Sequence, residues 1–251
     1  MKKNILSVFY RVMIAAFVVM SFSGCVIANA NFSDFGTVRG KGDRENFEFK
    51  VSDYNAIKIE GAFEIHYFAV SSDAVTLSVQ PNLREFYSIE VINDELVVRT
   101  TKNVSFGSNK CPVLTVSTPV LNRLTLDGAC DFMAHNKIEA NPLTLIMSGM
   151  GNVKAELNTD SLSAYISGAG DFKLSGRADT AHLNLSGTGE LDSLALQTRE
   201  ATVNLSGAGT IKVNCSQNLS INADGVGTVE YRGSPSLNLS RGGLVSIKQL
   251  N

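Results

Sequence analysis

Ser-Gly-x-Gly occurs four times at nearly even spacing, beginning at Ser148, Ser167, Ser186 and Ser206. Degenerate copies extend the series in both directions, at Asp127 ("DGAC"), Asp224 ("DGVG") and Ser240 ("SRGG"). Successive copies from Asp127 to Ser240 are then 21, 19, 19, 20, 18 and 16 residues apart. A chain that repeats itself at this period builds stacked units, each unable to bury its apolar side alone. One further copy, "EGAF" at Glu60, stands far upstream.

The residues around each copy say what is stacked. One and three positions before the Ser or Asp are apolar: Leu124 and Leu126, Leu145 and Met147, Ala164 and Ile166, Leu183 and Leu185, Val203 and Leu205, Ile221 and Ala223, Leu237 and Leu239. Five positions after it the residue is again apolar, from Phe132 and Val153 through Phe172, Leu191, Ile211 and Val229 to Val245. Between the paired apolar residues lies one that is often polar, most often asparagine. Alternation with period two is strand, and the 3.6-residue period of a helix is absent. The expected fold is all-β, a solenoid of roughly 19-residue rungs whose strands stack ~4.8 Å apart. Glycine suits the corner because a bend leaves no room for a Cβ, and the Ser or Asp before it is expected to hydrogen-bond the turn. Cys130 and Arg241 stand at glycine positions in the first and last copies, as atypical ends.

Ahead of the repeats, Lys2 and Lys3 precede the apolar run Val12–Met20 and then "SFSGC". This reads as a lipoprotein signal over residues 1–25 with Cys25 as the lipidated residue, and "ANA" at 28–30 offers ordinary secretion instead. Residues 26–44 read as a tether and 45–251 as the solenoid head, with 45–110 as capping strands and 111–251 as the repeat array. Within the cap, Asn93 and Asp94 form the tip of a hairpin. Export leaves Cys111, Cys130 and Cys215, an odd number, so at most one internal bridge forms, no disulfide framework organises the fold, and the favoured reading is small buried apolar residues.

A formal net charge of −2 without a basic stripe argues against nucleic acid as a partner. The glycines lack the Lys-Ser or Lys-Thr of a phosphate loop. After the second glycine position come Asp131, Asn152, Asp171, Glu190, Thr210 and Thr228. Asp171 and Glu190 are the candidates for a cation, yet each rung offers one ligand only, so a solvated polar edge is expected and no cofactor. His66, His135 and His182 are read as isolated. Asp127 takes the place of a corner serine, so its proximity to Asp131 is read as structural. No paired carboxylates or triad emerge, and the chain is read as no enzyme.

The order of pieces, "VSDYNAIKIEGAFEIHY", "VQPNLREFYSIEVINDELVV", the Ser-Gly-x-Gly coils and "VEYRGSP", resembles the GIN-type head domain of auto-transporter adhesins, from about residue 48 to the end. The resemblance implies a right-handed parallel β-helix-like solenoid, common in secreted proteins and lipoproteins of Bacteroidetes type, and a role in adhesion. It carries no catalytic residues. The expected contact surface is an outward strip of Tyr165, Asn184, Asn204, Asn222 and Asn238, facing an unidentified glycan or protein ligand. The resulting expectation is a non-enzymatic module held at the outer membrane by a lipid anchor, facing the periplasm or the cell surface, and able to form homo-oligomers through an end. A periplasmic scaffold and a carbohydrate-active enzyme are the alternatives.

Overall fold

The computed structural model describes residues 37–72, 74–106 and 111–250; the signal segment with Cys25 and the first part of the tether lie outside the described residues. The repeats form a parallel β-solenoid. Strands Met150–Ile166, Ala169–Leu185, Thr188–Leu205 and Ala208–Ala223 each run from one corner to the next. Each pairs in parallel with its neighbour so that like positions stack, Val153 on Phe172, Leu191, Ile211 and Val229. The apolar residues that alternation points inward, from Leu124 to Ala223, are all buried and form one continuous core. Each fully buried leucine contributes roughly 2 kcal/mol by removing its side chain from water.

The corners stack even more closely than the strands. A Cβ on Gly187 would lie 1.9 Å from the Gly168 carbonyl oxygen of the rung beneath, and one on Gly168 would lie 1.7 Å from that of Gly149. The second glycine adds a conformational demand: Gly189 has φ +141° as well as a Cβ position 2.0 Å from Gly170 O. Backbone hydrogen bonds between rungs hold this geometry, Ser186 N–H to Ile166 O at 2.9 Å and Thr188 N–H to Gly168 O at 2.9 Å. The corner serines contribute less than the sequence implies. Ser167 Oγ donates to Met147 O of the rung below at 3.3 Å, and the bonds that shape the bend are main-chain.

The upstream copy is the first rung. Strand Ala56–Phe68 lies in register beneath Arg123–Ala134, with Glu60 opposite Asp127 and Gly61 opposite Gly128. Below it the solenoid ends. Glu95–Thr100 and Val113–Ser117 pair in parallel with the two halves of this rung. Each then turns to antiparallel partners, Tyr87–Ile92 in one case and Ala74–Val79 followed by Glu45–Lys50 in the other. The hairpin tip is Asn93 and Asp94, at φ 51° and 61°, as a two-residue turn between twisted strands requires. The described end of the tether is tied down: Val38–Arg39 pairs with Val104–Ser105, and Lys41 N–H bonds Asn82 Oδ1 at 2.8 Å.

The last rung departs from its sequence reading by two residues. Ala223 stacks with Arg241, so Gly242 takes the place of Asp224 and Gly243 that of Gly225. Arg241 therefore occupies an inward column, not a glycine position. The residue above Val229 is Ile247, and Val245 sits over Gly227. Leu237 and Leu239 keep their inward register on Leu219 and Ile221, but they remain 42% and 47% exposed because no rung within the described residues covers them. A charged residue in the core column of an open end is a known guard against edge-to-edge stacking.

Cys130 and Cys215 are free thiols with 0% exposure. Burial pushes the Cys130 thiol up to about 12. Iodoacetamide at mildly alkaline pH is thus expected to leave both unmodified in the native protein and to alkylate both in urea, read by mass spectrometry; native labelling of Cys130 would mean that its corner opens. Gly187→Ala is expected to cost about 3 kcal/mol or more, because two stacked backbones must part. Gly42→Ala, at φ +79° with open space around it, is expected to cost about 1 kcal/mol. Urea unfolding of the two variants compares them directly, and equal losses would mean that the corner stack relaxes easily.

Candidate functional site

In-register stacking turns the outward positions on either side of the corner into columns along the solenoid. The column two residues before the corner reads Ile146, Tyr165, Asn184, Asn204, Asn222 and Ser240. The adjoining column reads Thr144, Ser163, His182, Thr202, Ser220 and Asn238. Four residues of the expected strip, Tyr165, Asn184, Asn204 and Asn222, do stack on one another. Asn238 does not: the two-residue shift of the last rung moves it to the neighbouring column above Ser220 and places Ser240 over Asn222. Tyr165 is 39% exposed. Asn222 Nδ2 donates to Asn204 Oδ1 at 3.0 Å, so part of the amide ladder is already ordered.

Together the two columns make a face with no Asp, Glu, Lys or Arg from Thr144 to Ser240. The face beyond the corner is the opposite. One column there runs Asp131, Asn152, Asp171, Glu190, Thr210 and Thr228, and beside it stand Met133, Lys154, Lys173, Asp192, Lys212 and Glu230. Its acids are answered from within the chain. Asn152 Nδ2 donates to Asp131 Oδ1 at 2.7 Å, the Glu190 amide donates to Asp171 Oδ1 at 2.8 Å, and Lys212 Nζ meets Glu190 Oε1 at 2.6 Å. The hydrogen bond to Glu190 is also the main reason the Lys212 ammonium is held above its ordinary pKa. Asp171 and Glu190, the candidate cation ligands, thus lie on adjacent rungs with protein partners. Among the described residues no three His, Cys, Asp or Glu side chains converge as a metal site.

Two features were invisible to the linear reading. His66 and His135, taken there as isolated, meet at 2.7 Å between Nδ1 and Nε2, with Glu64 Oε1 at 3.2 Å from His66 Nε2 and Phe68 stacked on His135. The phase of the upstream copy was the available signal, since it sets His66 beside Met133. The second is a cavity of about 390 Å³ at the cap, lined by Asp53, Asn55, Ser72, Asp94, Thr118 and Val120 among others. Part of its wall is structural bracing: Tyr54 Oη donates to Ser117 O at 2.9 Å and Thr118 Oγ1 to Tyr54 O at 2.6 Å.

With the geometry in place, comparison with known proteins gives a consistent picture. A family model described as "Putative auto-transporter adhesin, head GIN domain" matches residues 53–235. No protein of curated function matches the chain. Among solved structures, a "putative adhesin" from Bacteroides fragilis superposes with a TM-score of 0.80 at 25% identity, over 85% of this chain and 100% of that one. A "putative lipid binding protein" from Parabacteroides distasonis gives 0.69 at 23% identity, over 86% of this chain and 100% of that one. A "putative adhesin" from Parabacteroides merdae gives 0.68 at 20%, again over 86% of this chain and 100% of that one. At such identities the last two are likenesses of fold.

The charged face generates its own test. Lys212→Met is expected to cost about 0.5 kcal/mol at neutral pH, the scale of a half-exposed pair. A lysine whose folded pKa is raised stabilises the fold below its ordinary value of 10.5 and loses that contribution as pH climbs through the raised one. The gap between variant and parent in urea midpoint should therefore close in strongly alkaline buffer. A gap that persists there would assign the loss to packing of the lysine stem.

Proposed function

The chain belongs to the GIN-type head-domain family of auto-transporter adhesins, and on that premise we propose that it is a non-enzymatic binding module whose contact surface is the uncharged face. The observation that carries this reading is the asymmetry of the two faces. The charged face is occupied with its own hydrogen bonds and ion pair, whereas the face bearing Tyr165, Asn184, Asn204 and Asn222 spends few of its polar groups within the chain. Hydroxyl and carboxamide groups left free on a flat, stiff surface are available to a partner at little ordering cost. The Bacteroides fragilis structure described as an adhesin supports a binding role of this kind.

The signal segment adds the setting. In this reading the protein is exported, Cys25 carries the lipid that holds it at the outer membrane, and residues 26–36 give the head its reach. The solenoid then presents its flank.

Two experiments test the proposal. Cys25→Ser should abolish incorporation of labelled palmitate and release the protein from the membrane fraction; retention of both would remove the anchor from the account. Replacing Tyr165 with Ala and Asn184 with Lys together should lower binding to a panel of matrix proteins and glycans at least tenfold, while Lys154→Gln on the charged face leaves it unchanged. Protease treatment of intact cells completes the second experiment, since a head that stays protected until the outer membrane is opened would exclude adhesion to external surfaces.

A further inference from the structure

We propose that the uncharged face binds an extended, neutral polysaccharide lying along the solenoid axis, about one sugar to each rung. The inference rests on the reading above that this face is the contact surface, and it names what the surface recognises.

Charge excludes the first set of competitors. A sulfated or uronic glycan or a nucleic acid would bury its charges against two columns that hold no counter-ion from Thr144 to Ser240, beside which the next outward column adds only the carboxylate of Glu200, and an unpaired charge is costly to desolvate. Composition excludes the second. The centre of a protein–protein contact is enriched in aromatic residues, methionine and arginine. Here Tyr165 and Ile146 are the only apolar or aromatic side chains in two columns that otherwise consist of Ser, Thr, Asn and one His. There is too little apolar area to drive a stable pairing of two proteins or two copies of this chain.

What the face does offer is a set of groups that both donate and accept. A carboxamide has two N–H donors and a carbonyl acceptor, and a hydroxyl does either. Sugar hydroxyls have the same dual character, so a ladder of identical amides suits a polymer of identical sugars. Asn204 and Asn222 show this pre-ordering: the hydrogen bond from Asn222 Nδ2 to Asn204 Oδ1 at 3.0 Å holds both side chains and leaves their other donors and acceptors free. Spacing then favours a linear chain along the axis. Rungs repeat every ~4.8 Å, and a β-1,4-linked glycan in its flat, extended form advances one sugar in nearly that distance. Tyr165, at 39% exposure, gives a ring on which the C–H face of one sugar can rest.

The test is calorimetry of the folded head with neutral β-linked oligosaccharides of increasing length, cello- and manno-oligosaccharides first, at low and high salt. Affinity is expected to rise with each added sugar and to level off near six, the number of registered positions from Ile146 to Ser240, and to be insensitive to salt. Asn204→Asp keeps an acceptor for Asn222 and should fold with an unchanged urea midpoint, yet lower the affinity at least tenfold by placing a charge mid-ladder. Lys173→Gln on the other face should leave it unchanged. Binding that does not grow with length, or that weakens with salt, would overturn the axial neutral chain. If no neutral glycan binds but Asn204→Asp disrupts capture of a matrix protein, or of a second copy seen by sedimentation, this inference fails and the binding face stands. Full binding by Asn204→Asp would overturn both.

Discussion

The structure depends on one close contact: the main chain of each corner rests against the carbonyl oxygen of the corner beneath it. At Gly168 and Gly187 there is no space for even a methyl group, because the next backbone oxygen already lies within 2 Å of where a Cβ would be. That contact fixes the height of the rung, and the strands on either side must then pair at the same height. In-register parallel pairing is the result, and register is what converts scattered alternation into continuous ladders. The rule lapses toward the two ends: Phe63 and Cys130 in the first two rungs, and Val245 in the last, occupy the second glycine position.

Once register is imposed, a face of the solenoid acquires a character that no single rung possesses. The column through Asn184, Asn204 and Asn222 lies on one side of the corner and the column through Asp171, Glu190 and Thr210 on the other. Their chemistry separates cleanly. Beyond the corner, acids and lysines neutralise one another across rungs, as Lys212 does for Glu190. The two columns before it are left with groups that hydrogen-bond without charge, with Glu200 in the next column out. A solenoid whose strands are rigid and whose side chains are spaced by main-chain hydrogen bonds can offer such a face at small entropic cost, and this links the corner to the proposed function.

The ends matter for a different reason. A parallel stack exposes unpaired strand edges, and the two ends manage them by different means. At the first rung the pairing switches to antiparallel, through Tyr87–Ile92 on one half and Ala74–Val79 on the other, which closes the apolar interior around Phe63, Tyr67 and Leu83. At the last rung Leu237 and Leu239 stay exposed, and Arg241, exposed as well, stands in register on the buried Ala223.

Much of this was legible in the linear chain, because alternation is local. Leu183 and Leu185 face inward for the same reason that Asn184 faces outward, and neither depends on any distant residue. The period near nineteen then told that like would stack on like, and the corner glycines told where. The tertiary structure was needed wherever the answer depended on how one rung meets another. Counting from "SRGG" placed Asn238 in the strip, but the stack put Ser240 there, since Gly243 rather than Arg241 must clear the backbone of Gly225. His66 and His135 are 69 residues apart and meet only because the long insertion between the first two rungs loops out and returns in phase. The sequence alone therefore determined which side of the sheet each residue takes, a matter of strand geometry. Which residues become neighbours, and hence that two adjoining columns carry no charge from Thr144 to Ser240, was decided only when backbone contacts between remote segments set the register.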